Sequence, residues 1–323
     1  MMLGRMQETF AKSLAIAPGV TLLDTGFVRP ERAASYIVRG KNGVAFVDSG
    51  TALSVPRLLD GLAAIGVARR DVTHVIVTHV HLDHAGGAGA LLGELPNARL
   101  VVHPRGARHM IDPSKLIAGS TAVYGAELLA RLFGTMVPVP AERVIEAADG
   151  FTLDLGERPL VFWDAPGHAL HHVVVFDEAT QGFFTGDTFG LAYHEFDTAN
   201  GPFVFPTTTP VQFDPAALHA SINRMLTRHP QRMYLTHYGM LTGPIASLAA
   251  SLHARIDELV ELGRRVATAE HRHDLLRTEI AELVWSGLER HGVRVARAAA
   301  LEVWTPDIEL NAQGLGVWLD KAA

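Results

Sequence analysis

The sequence predicts a mixed α/β fold followed by a helical C-terminal extension, and three observations support this. Short apolar runs interrupted by glycine and aspartate fill the first 240 residues and predict β-strands. Between two of these runs, apolar residues from Leu58 to Ile65 recur at helical spacing, which predicts a β-helix-β unit. After Pro244, apolar residues recur every three or four positions between charged ones, which predicts helices.

The individual elements follow one another in chain order. Strands are predicted at residues 36–38, 44–47, 75–77, 99–103, 160–163, 173–176 and 183–184. Helices are predicted at residues 55–66, around 91–92, at 245–266 and at 275–289. The segment 104–145 is less regular, and its helical stretches over 115–133 predict a lid or an insertion beside a site. We expect a catalytic domain over residues 1–244 and a helical extension over 245–323 that packs on it.

The composition is typical of a compact globular protein. Of the 323 residues, 48% are hydrophobic and 19% are charged, which is enough apolar sequence for a full core. The net charge of −6 gives no general attraction for nucleic acid or for anionic lipid. We therefore expect a small-molecule substrate, no nucleic-acid partner and no membrane partner.

The chain has no cysteine, which excludes disulfides and thiolate metal ligands. No apolar run approaches the roughly 20 residues that span a bilayer. Residues 1–16 contain charged residues and lack the apolar core of a secretory signal. We expect a cytoplasmic protein on these grounds.

The segment 79–84 carries three histidines and one aspartate within six residues. It follows the apolar run 75–77 and precedes Gly86 and Gly87, as in a turn from a strand to a helix. Imidazole nitrogens and carboxylate oxygens are the usual ligands of zinc and of neighbouring first-row metals. The segment therefore predicts a metal site at the end of a strand.

Three later strand ends present residues of the same chemical type, namely His168, Asp187 and His237. Glycines beside them allow the sharp turns that direct such side chains out of a sheet edge. The complete set suffices for two metal ions if one carboxylate bridges them. Its members are His79, His81, Asp83, His84, His168, Asp187 and His237.

These motifs resemble those of the metallo-β-lactamase superfamily of metal-dependent hydrolases. The resemblance rests on Thr-His-Val-His-Leu-Asp-His-Ala-Gly-Gly at 78–87, Ala-Pro-Gly-His at 165–168, Phe-Thr-Gly-Asp-Thr at 184–188 and Thr-His-Tyr-Gly at 236–239, preceded by Val-Asp-Ser-Gly at 47–50. It spans roughly residues 35–240. It implies a four-layer αββα sandwich with the site at one edge of the two sheets.

The resemblance also implies how the ligands divide between two divalent ions. The first ion would be held by His79, His81 and His168, the second by Asp83, His84 and His237, and Asp187 would bridge them. This set is similar to that of glyoxalase II and the acyl-homoserine lactonases, whereas the β-lactamase classes that use a cysteine ligand are excluded. Zinc is the expected metal, with iron or manganese as alternatives.

Asp48 ends its strand where the family places a carboxylate behind a metal-bound histidine, which would fix the tautomer of that imidazole. The alternative is an ordinary strand-end aspartate that hydrogen-bonds its own turn. Thr78 and Thr236 immediately precede ligands and are candidates to brace the site, although threonine is also common in strands.

Three catalytic roles are predicted beyond that of the bridging aspartate. Asp83 could shuttle a proton, although a tight metal ligand is a poor base and the ligand role is favoured. His172 occupies a position where glyoxalase-like relatives carry a second histidine, so it has either a role beside the ligands or substrate, or a structural one. Tyr193 lies in the loop after Asp187, from which a phenol could meet the oxyanion or the leaving group.

The leading functional hypothesis is a dinuclear hydrolase that uses a metal-bridging hydroxide to cleave a small ester, thioester or lactone. Two ions that share a water lower its pKa from about 15.7 toward 7. The alternatives are a phosphodiesterase with a small phosphorylated substrate, a mononuclear-iron oxidoreductase similar to persulfide dioxygenases, and a noncatalytic binding protein. The helical extension either caps the core, shapes the substrate entrance or forms a homodimer contact.

Overall fold

The computed structural model describes residues 13–322, which form two β-sheets between helices. The first sheet contains, in hydrogen-bonded order, β1 (Ser13–Ala17), β2 (Val20–Asp24), β3 (Ala34–Arg39), β4 (Val44–Val47), β5 (Val72–Ile76), β6 (Arg99–Val102) and β7 (Val144–Glu146). Neighbours from β1 to β4 are antiparallel, and neighbours from β4 to β7 are parallel.

The second sheet contains, also in hydrogen-bonded order, β8 (Thr152–Asp154), β9 (Pro159–Asp164), β10 (Val173–Asp177), β11 (Gly182–Gly186), β12 (Arg232–Leu235) and β13 (Gly239–Thr242). Its strands are antiparallel except for the parallel pair of β11 and β12. Strands β9, β11 and β12 therefore run in the same direction and end at one edge of the sheet.

The helices lie outside the two sheets and at the C-terminus. They are α1 (Val55–Ala64), α2 (Leu82–Ala85), α3 (Ala88–Glu94), α4 (Pro104–Ile111), α5 (Ser114–Tyr124), α6 (Ala126–Phe133), α7 (Pro215–Leu226), α8 (Ile245–Val266), α9 (Arg272–His291) and α10 (Arg297–Ala322). The order of the elements confirms the predicted αββα class with C-terminal helices. The irregular segment 104–145 forms α4 to α6 and β7.

Side chains alternate between the two faces of the first sheet, and each face packs into a separate hydrophobic core. In β3, Tyr36 and Val38 face the second sheet, whereas Ile37 packs with the helices on the other side, because successive side chains of a strand point to opposite faces. Between the sheets, the ring of Tyr36 lies 5.3 Å from that of Phe184. Apolar side chains from both sheets and from the C-terminal helices, including the fully buried Trp304 of α10, form one continuous cluster.

The C-terminal helices match the predicted pattern except at the end of the chain. Helix α8 coincides with the predicted range, and α9 extends a few residues beyond its predicted range at each end. Helix α10 was not predicted as a separate element, and it continues through Pro306. Because these helices share a core cluster with the second sheet, the domain boundary at residue 244 stays a prediction.

Two expectations concern membranes and secretion. Within residues 13–322, no single helix is long and apolar enough to cross a bilayer, and α5 and α6 meet the length and composition criteria only as a pair bent by 111°. The expectation about secretion concerns residues 1–16, and residues 1–12 lie outside the described residues.

Replacing Leu160 by alanine should lower the free energy of unfolding by about 2–5 kcal/mol, because Leu160 is fully buried between the sheets and alanine would leave a cavity. Urea unfolding followed by circular dichroism measures the change. Leu14→Ala is the control, since Leu14 is also a leucine of a strand but is 59% exposed, and it should change the stability by less than about 0.5 kcal/mol. Equal losses in both variants would contradict this core.

Candidate metal centre

The candidate ligands lie at the carboxyl ends of strands from both sheets. His79 follows β5, His168 follows β9, Asp187 directly follows β11 and His237 follows β12. Strands that run in the same direction end at the same edge of a sheet, so their polar ends converge there. The topology therefore brings together residues that are up to 158 positions apart in the chain.

The short helix α2 supplies the other ligands. His81 precedes its first residue, and the carbonyl of His81 accepts hydrogen bonds from the amides of His84 (3.1 Å) and Ala85 (2.9 Å). This tight turn fixes the direction of His81, Asp83 and His84 relative to one another. The spacing within the sequence motif is thus the spacing of one helical turn.

One group of donor atoms comes from three histidines and an aspartate. The Nδ1 atom of His81 lies 2.9 Å from Nε2 of His79 and 3.0 Å from Nε2 of His168. The Oδ2 atom of Asp187 lies 3.3 Å from Nε2 of His168. Each of these four residues offers one donor atom within 4.8 Å of the others. The three histidines are those that the resemblance assigns to the first ion, and Asp187 is the residue that it assigns as the bridge.

A second group lies beside the first. The Nε2 atom of His237 lies 3.3 Å from Oδ2 of Asp83, and Nε2 of His84 lies 3.9 Å from Oδ1 of Asp83. The second oxygen of Asp187, Oδ1, lies 3.3 Å from Nε2 of His84 and 3.7 Å from Nε2 of His237. Asp187 therefore presents one oxygen to each group, as a bridging carboxylate would.

The donor set fits metal ions. Around a tetrahedral ion with metal–nitrogen distances of about 2.0–2.1 Å, neighbouring donors are about 3.3 Å apart, close to the spacings observed here. Among the described residues, Nε2 of His84 and Oδ1 of Asp187 are buried and have no hydrogen-bond partner. Buried polar atoms of this kind are costly unless something satisfies them. A cation between them would do so.

The charges of the carboxylates are also suited to cations. Burial raises the pKa of Asp187, but the imidazoles of His84, His168 and His237 outweigh this effect and hold its pKa well below the usual range. Burial likewise raises the pKa of Asp83, and His84 and His237 reverse the shift and lower it. Both aspartates are therefore ionised at neutral pH, which is the form that binds metals.

The pKa values of the histidines in the two groups shift in opposite directions. Burial, reinforced by neighbouring imidazoles, lowers the pKa values of His79 and His81, so these rings are neutral donors. For His84 and His237, burial lowers the pKa, but the carboxylates of Asp187 and Asp83 outweigh it and raise the pKa. Because metal binding displaces protons from its ligands, an ion in the second group would oppose this upward shift.

Asp48 lies behind the second group, where the sequence placed it. Its Oδ2 atom accepts a hydrogen bond from Nδ1 of His84 at 2.8 Å, which directs Nε2 of His84 at the site. The same carboxylate accepts hydrogen bonds from the backbone amide of Thr78 (2.8 Å), its hydroxyl (3.0 Å) and the hydroxyl of Thr236 (2.7 Å). Both threonines that precede ligands therefore brace the site through Asp48.

His172 is buried beneath the ligands. Its Nε2 atom accepts a hydrogen bond from the backbone amide of Asp187 at 3.1 Å, and its ring stacks on that of His79 with centroids 4.7 Å apart. Gly186, which precedes Asp187, has φ +48°, and an added Cβ would lie 2.6 Å from Nε2 of His172. This arrangement orients Asp187, whereas it gives no support to a contact between His172 and substrate.

Tyr193 packs against helix α10, where its ring lies 5.1 Å from that of Trp304. It is fully buried, and its hydroxyl donates to Oδ2 of Asp307 in α10 at 3.2 Å. Burial and the adjacent Asp307 raise its pKa well above the usual value, so the phenol stays neutral. No contact of its hydroxyl supports the predicted role in catalysis, and Asp307 had no signal in the sequence.

A cavity of about 270 Å³ opens onto the two donor groups. His81, Asp83 and Asp187 lie at its polar side, and His109 and His171 lie on the same wall. Burial and the nearby imidazoles lower the pKa of His171 to about 3, so this ring is neutral.

The remaining walls of the cavity are mainly apolar. They include Leu116, Val123 and Tyr124 of α5, Phe133 of α6, Leu310 of α10, and Val211 in the loop before α7. Helices α5 and α6 therefore lie beside the site, as the lid or insertion predicted within 104–145 requires. The contributions of Val211 and Leu310 were not predicted.

The fold and the donor set together define a class, an αββα protein with a candidate centre for two metal ions. The chain belongs to the metallo-beta-lactamase superfamily, whose family model matches residues 28–265.

Among individual relatives, the chain is similar to the metallo-beta-lactamase fold-containing protein ST1585 of Sulfurisphaera tokodaii, with 27% identity over 67% of this chain and 76% of the relative. The solved structure of ST1585 covers 93% of this chain and 99% of its own, with a TM-score of 0.64 and 22% identity, a likeness of fold alone. This chain is also similar to a hydroxyacylglutathione hydrolase of Aeromonas hydrophila, with 28% identity over 59% of this chain. It is similar as well to the human acyl-coenzyme A thioesterase MBLAC2, with 27% identity over 48% of this chain. The matches span only 54% and 58% of the latter two proteins.

Replacing Asp48 by asparagine should weaken metal binding by about 10–100-fold, because the variant loses the charge that orients His84. Competition against a chromophoric chelator measures the affinity. Asp60→Asn removes the same charge from the exposed face of α1 and should have no effect. Unchanged affinity in the Asp48 variant would contradict its assigned contact with a metal-bound histidine.

Proposed function

We propose that the protein is a dinuclear metal hydrolase that cleaves a small ester, thioester or lactone. The observation that carries the proposal is the pair of buried donor groups that share Asp187 beside an apolar cavity. Membership of the metallo-beta-lactamase superfamily supports hydrolysis and metal binding as a class. The names of two relatives, a hydroxyacylglutathione hydrolase and an acyl-coenzyme A thioesterase, favour acyl compounds as substrates.

The two aspartates of the donor groups have different roles in the proposed reaction. When bound, two divalent ions supply an activated water and polarise the bond to be cleaved. Asp187 sets the separation of the two groups by presenting one oxygen to each. Asp83, whose side chain is 23% exposed and borders the cavity, is the carboxylate nearest to an incoming substrate. We assign it the ligand role first, since its ionised form is strongly favoured.

We assign His172 and Tyr193 the role of positioning other residues, in place of the catalytic roles predicted from the sequence. His172 holds the backbone amide of Asp187, and Tyr193 holds Asp307. Both side chains are fully buried and neither lines the cavity, which favours positioning over contact with substrate.

We propose zinc as the metal and cytoplasm as the location, and a homodimer stays a prediction.

The cavity favours a substrate with an apolar acyl group. Its mainly apolar walls would remove hydrocarbon from water, which is worth about 0.8 kcal/mol for each buried CH₂ group. The carbonyl would then lie toward Asp83 and Asp187 at the polar side. Lys115 is the one cation of the described residues that lines this cavity, and it offers a position for a negatively charged leaving group.

The purified protein, reconstituted with zinc, manganese or iron, should contain up to two ions per chain and should hydrolyse members of an ester, thioester and lactone panel. Elemental analysis measures the metal content. Thiol release measures thioester cleavage, and acid release followed with a pH indicator measures ester and lactone cleavage. His84→Ala should retain at most one tightly bound ion and lose most of the activity, since it removes a donor of the second group.

Three outcomes would contradict the proposal. Faster cleavage of bis-nitrophenyl phosphate than of thioesters would favour a phosphodiesterase, and oxygen uptake with glutathione persulfide would favour an iron oxidoreductase. Fewer than one ion per chain after reconstitution, with no cleavage of any substrate, would indicate a noncatalytic protein.

The apolar wall can be tested on α5. Val123→Asp places a charge in the cavity and should lower kcat/KM for a hexanoyl thioester by about tenfold or more, mainly through KM. Ala122→Asp is the matched control, because Ala122 is an exposed neighbour on the same helix and does not line the cavity. The same loss for an acetyl thioester would mean that this wall does not bind the acyl chain.

A further inference from the structure

The C-terminal helix α10 contacts the loops behind both donor groups, although every candidate ligand lies between residues 79 and 237. The matched family region ends at residue 265, before α10 begins. Two buried polar residues of α10, Asp307 and Asn311, are four positions apart and therefore lie on one face of the helix. Each makes hydrogen bonds to a different loop.

Asp307 reaches the second donor group through Arg32. Its Oδ1 atom accepts a hydrogen bond from Nη2 of Arg32 at 2.8 Å, in an ion pair whose partners are both at least nine-tenths buried. The backbone carbonyl of Arg32 accepts the Nδ1 hydrogen of His237 at 2.8 Å. Because a carbonyl can only accept, this contact leaves Nε2 of His237 as the donor atom that faces Asp83.

The guanidinium of Arg32 is held on further sides as well. Its Nη1 atom donates to the carbonyl of Val303 in α10 at 3.4 Å, and its plane lies over the ring of Tyr193, 5.1 Å from the centroid. The hydroxyl of Tyr193 occupies the other oxygen of Asp307. Helix α10 thus fixes the side chain of the residue whose carbonyl orients His237.

Asn311 reaches the first donor group through the segment 206–208. Its Oδ1 atom accepts from the backbone amide of Thr208 at 2.6 Å, and its Nδ2 atom donates to the carbonyl of Pro206 at 3.4 Å. These bonds hold the chain on both sides of Thr207, whose carbonyl accepts from Nδ1 of His168 at 3.4 Å.

The packing of α10 against this segment leaves no free space. At Gly314, one turn beyond Asn311, an added Cβ would lie 1.5 Å from the carbonyl oxygen of Thr208. Backbone therefore lies directly on backbone at this contact. The position of Thr207, and with it the carbonyl that faces His168, depends on where α10 lies.

We propose that Asp307 and Asn311 are positioning residues of the metal centre, with Asp307 orienting His237 of the second group and Asn311 orienting His168 of the first. The C-terminal helix is then part of the metal site rather than a cover for the core. Residues that orient metal ligands typically contribute 10–100-fold to metal affinity. The proposal rests on the proposed metal centre and is independent of the substrate.

The test uses Asp307→Asn and Asn311→Leu in the full chain, each combined with a variant that removes one donor group. In a His237→Ala background, which lacks a ligand of the second group, Asn311→Leu should weaken the remaining zinc ion by 10–100-fold and Asp307→Asn should leave it unchanged. In a His168→Ala background the pattern should reverse. Zinc affinity is measured by chelator competition, with circular dichroism and thermal unfolding of the metal-free protein as a measure of folding.

Glu302→Gln removes a charge from the exposed side of the same helix and should change neither affinity. If Asp307→Asn does not fold, Asp307→Glu keeps the charge, displaces it by one methylene, and should weaken the same ion. Equal losses in both backgrounds, or wild-type affinity in both, would overturn the proposal and leave α10 a packing role only. If the wild-type protein binds no zinc, the proposed metal centre itself is overturned. This outcome is measured on the wild-type protein alone.

Discussion

The arrangement of the site depends on the carboxylate of Asp48, which is 1% exposed and directly follows β4. It accepts hydrogen bonds from Thr78 at the end of the neighbouring strand of its own sheet, from Thr236 at the end of a strand in the other sheet, and from the imidazole of His84. A buried charge is tolerated only when it is well hydrogen-bonded, and each bond to a charged group contributes about 1.5–3 kcal/mol. The two sheets are therefore joined at the edge where the ligands converge.

This junction explains how the donor groups keep their geometry although some of their buried polar atoms have no hydrogen-bond partner among the described residues. His84 and Asp187 each keep one buried polar atom without a partner among the described residues, an arrangement that would normally relax. His84 cannot rotate without breaking its bond to Asp48, and Asp187 is held by the bond of its amide to His172. The buried network thus maintains a cation-binding geometry that the ligands alone would not keep.

The sequence was sufficient to predict the fold class and which residues meet in the two groups, because those residues occur in short motifs at strand ends. The position of Asp48 behind His84 followed from a resemblance to a family, and its contacts with the two threonines agree with that position. The bonds of α10 could not be predicted, since Arg32 and Asp307 are 275 residues apart and neither lies in a recognisable motif. The bond from Tyr193 to Asp307 could not be predicted either, since Asp307 belongs to a helix that the sequence did not separate from the tail.

The cavity and the metal centre are built from different parts of the chain. The donor atoms come from strand ends and α2, whereas the apolar walls come mainly from α5, α6, the segment after Thr208 and α10. Substitutions in these walls can change the substrate specificity without moving the donor atoms. The exception is α10, which contributes Leu310 to the cavity and Asp307 and Asn311 to the loops behind the ligands. A substitution that moves this helix should therefore affect substrate selection and metal affinity together.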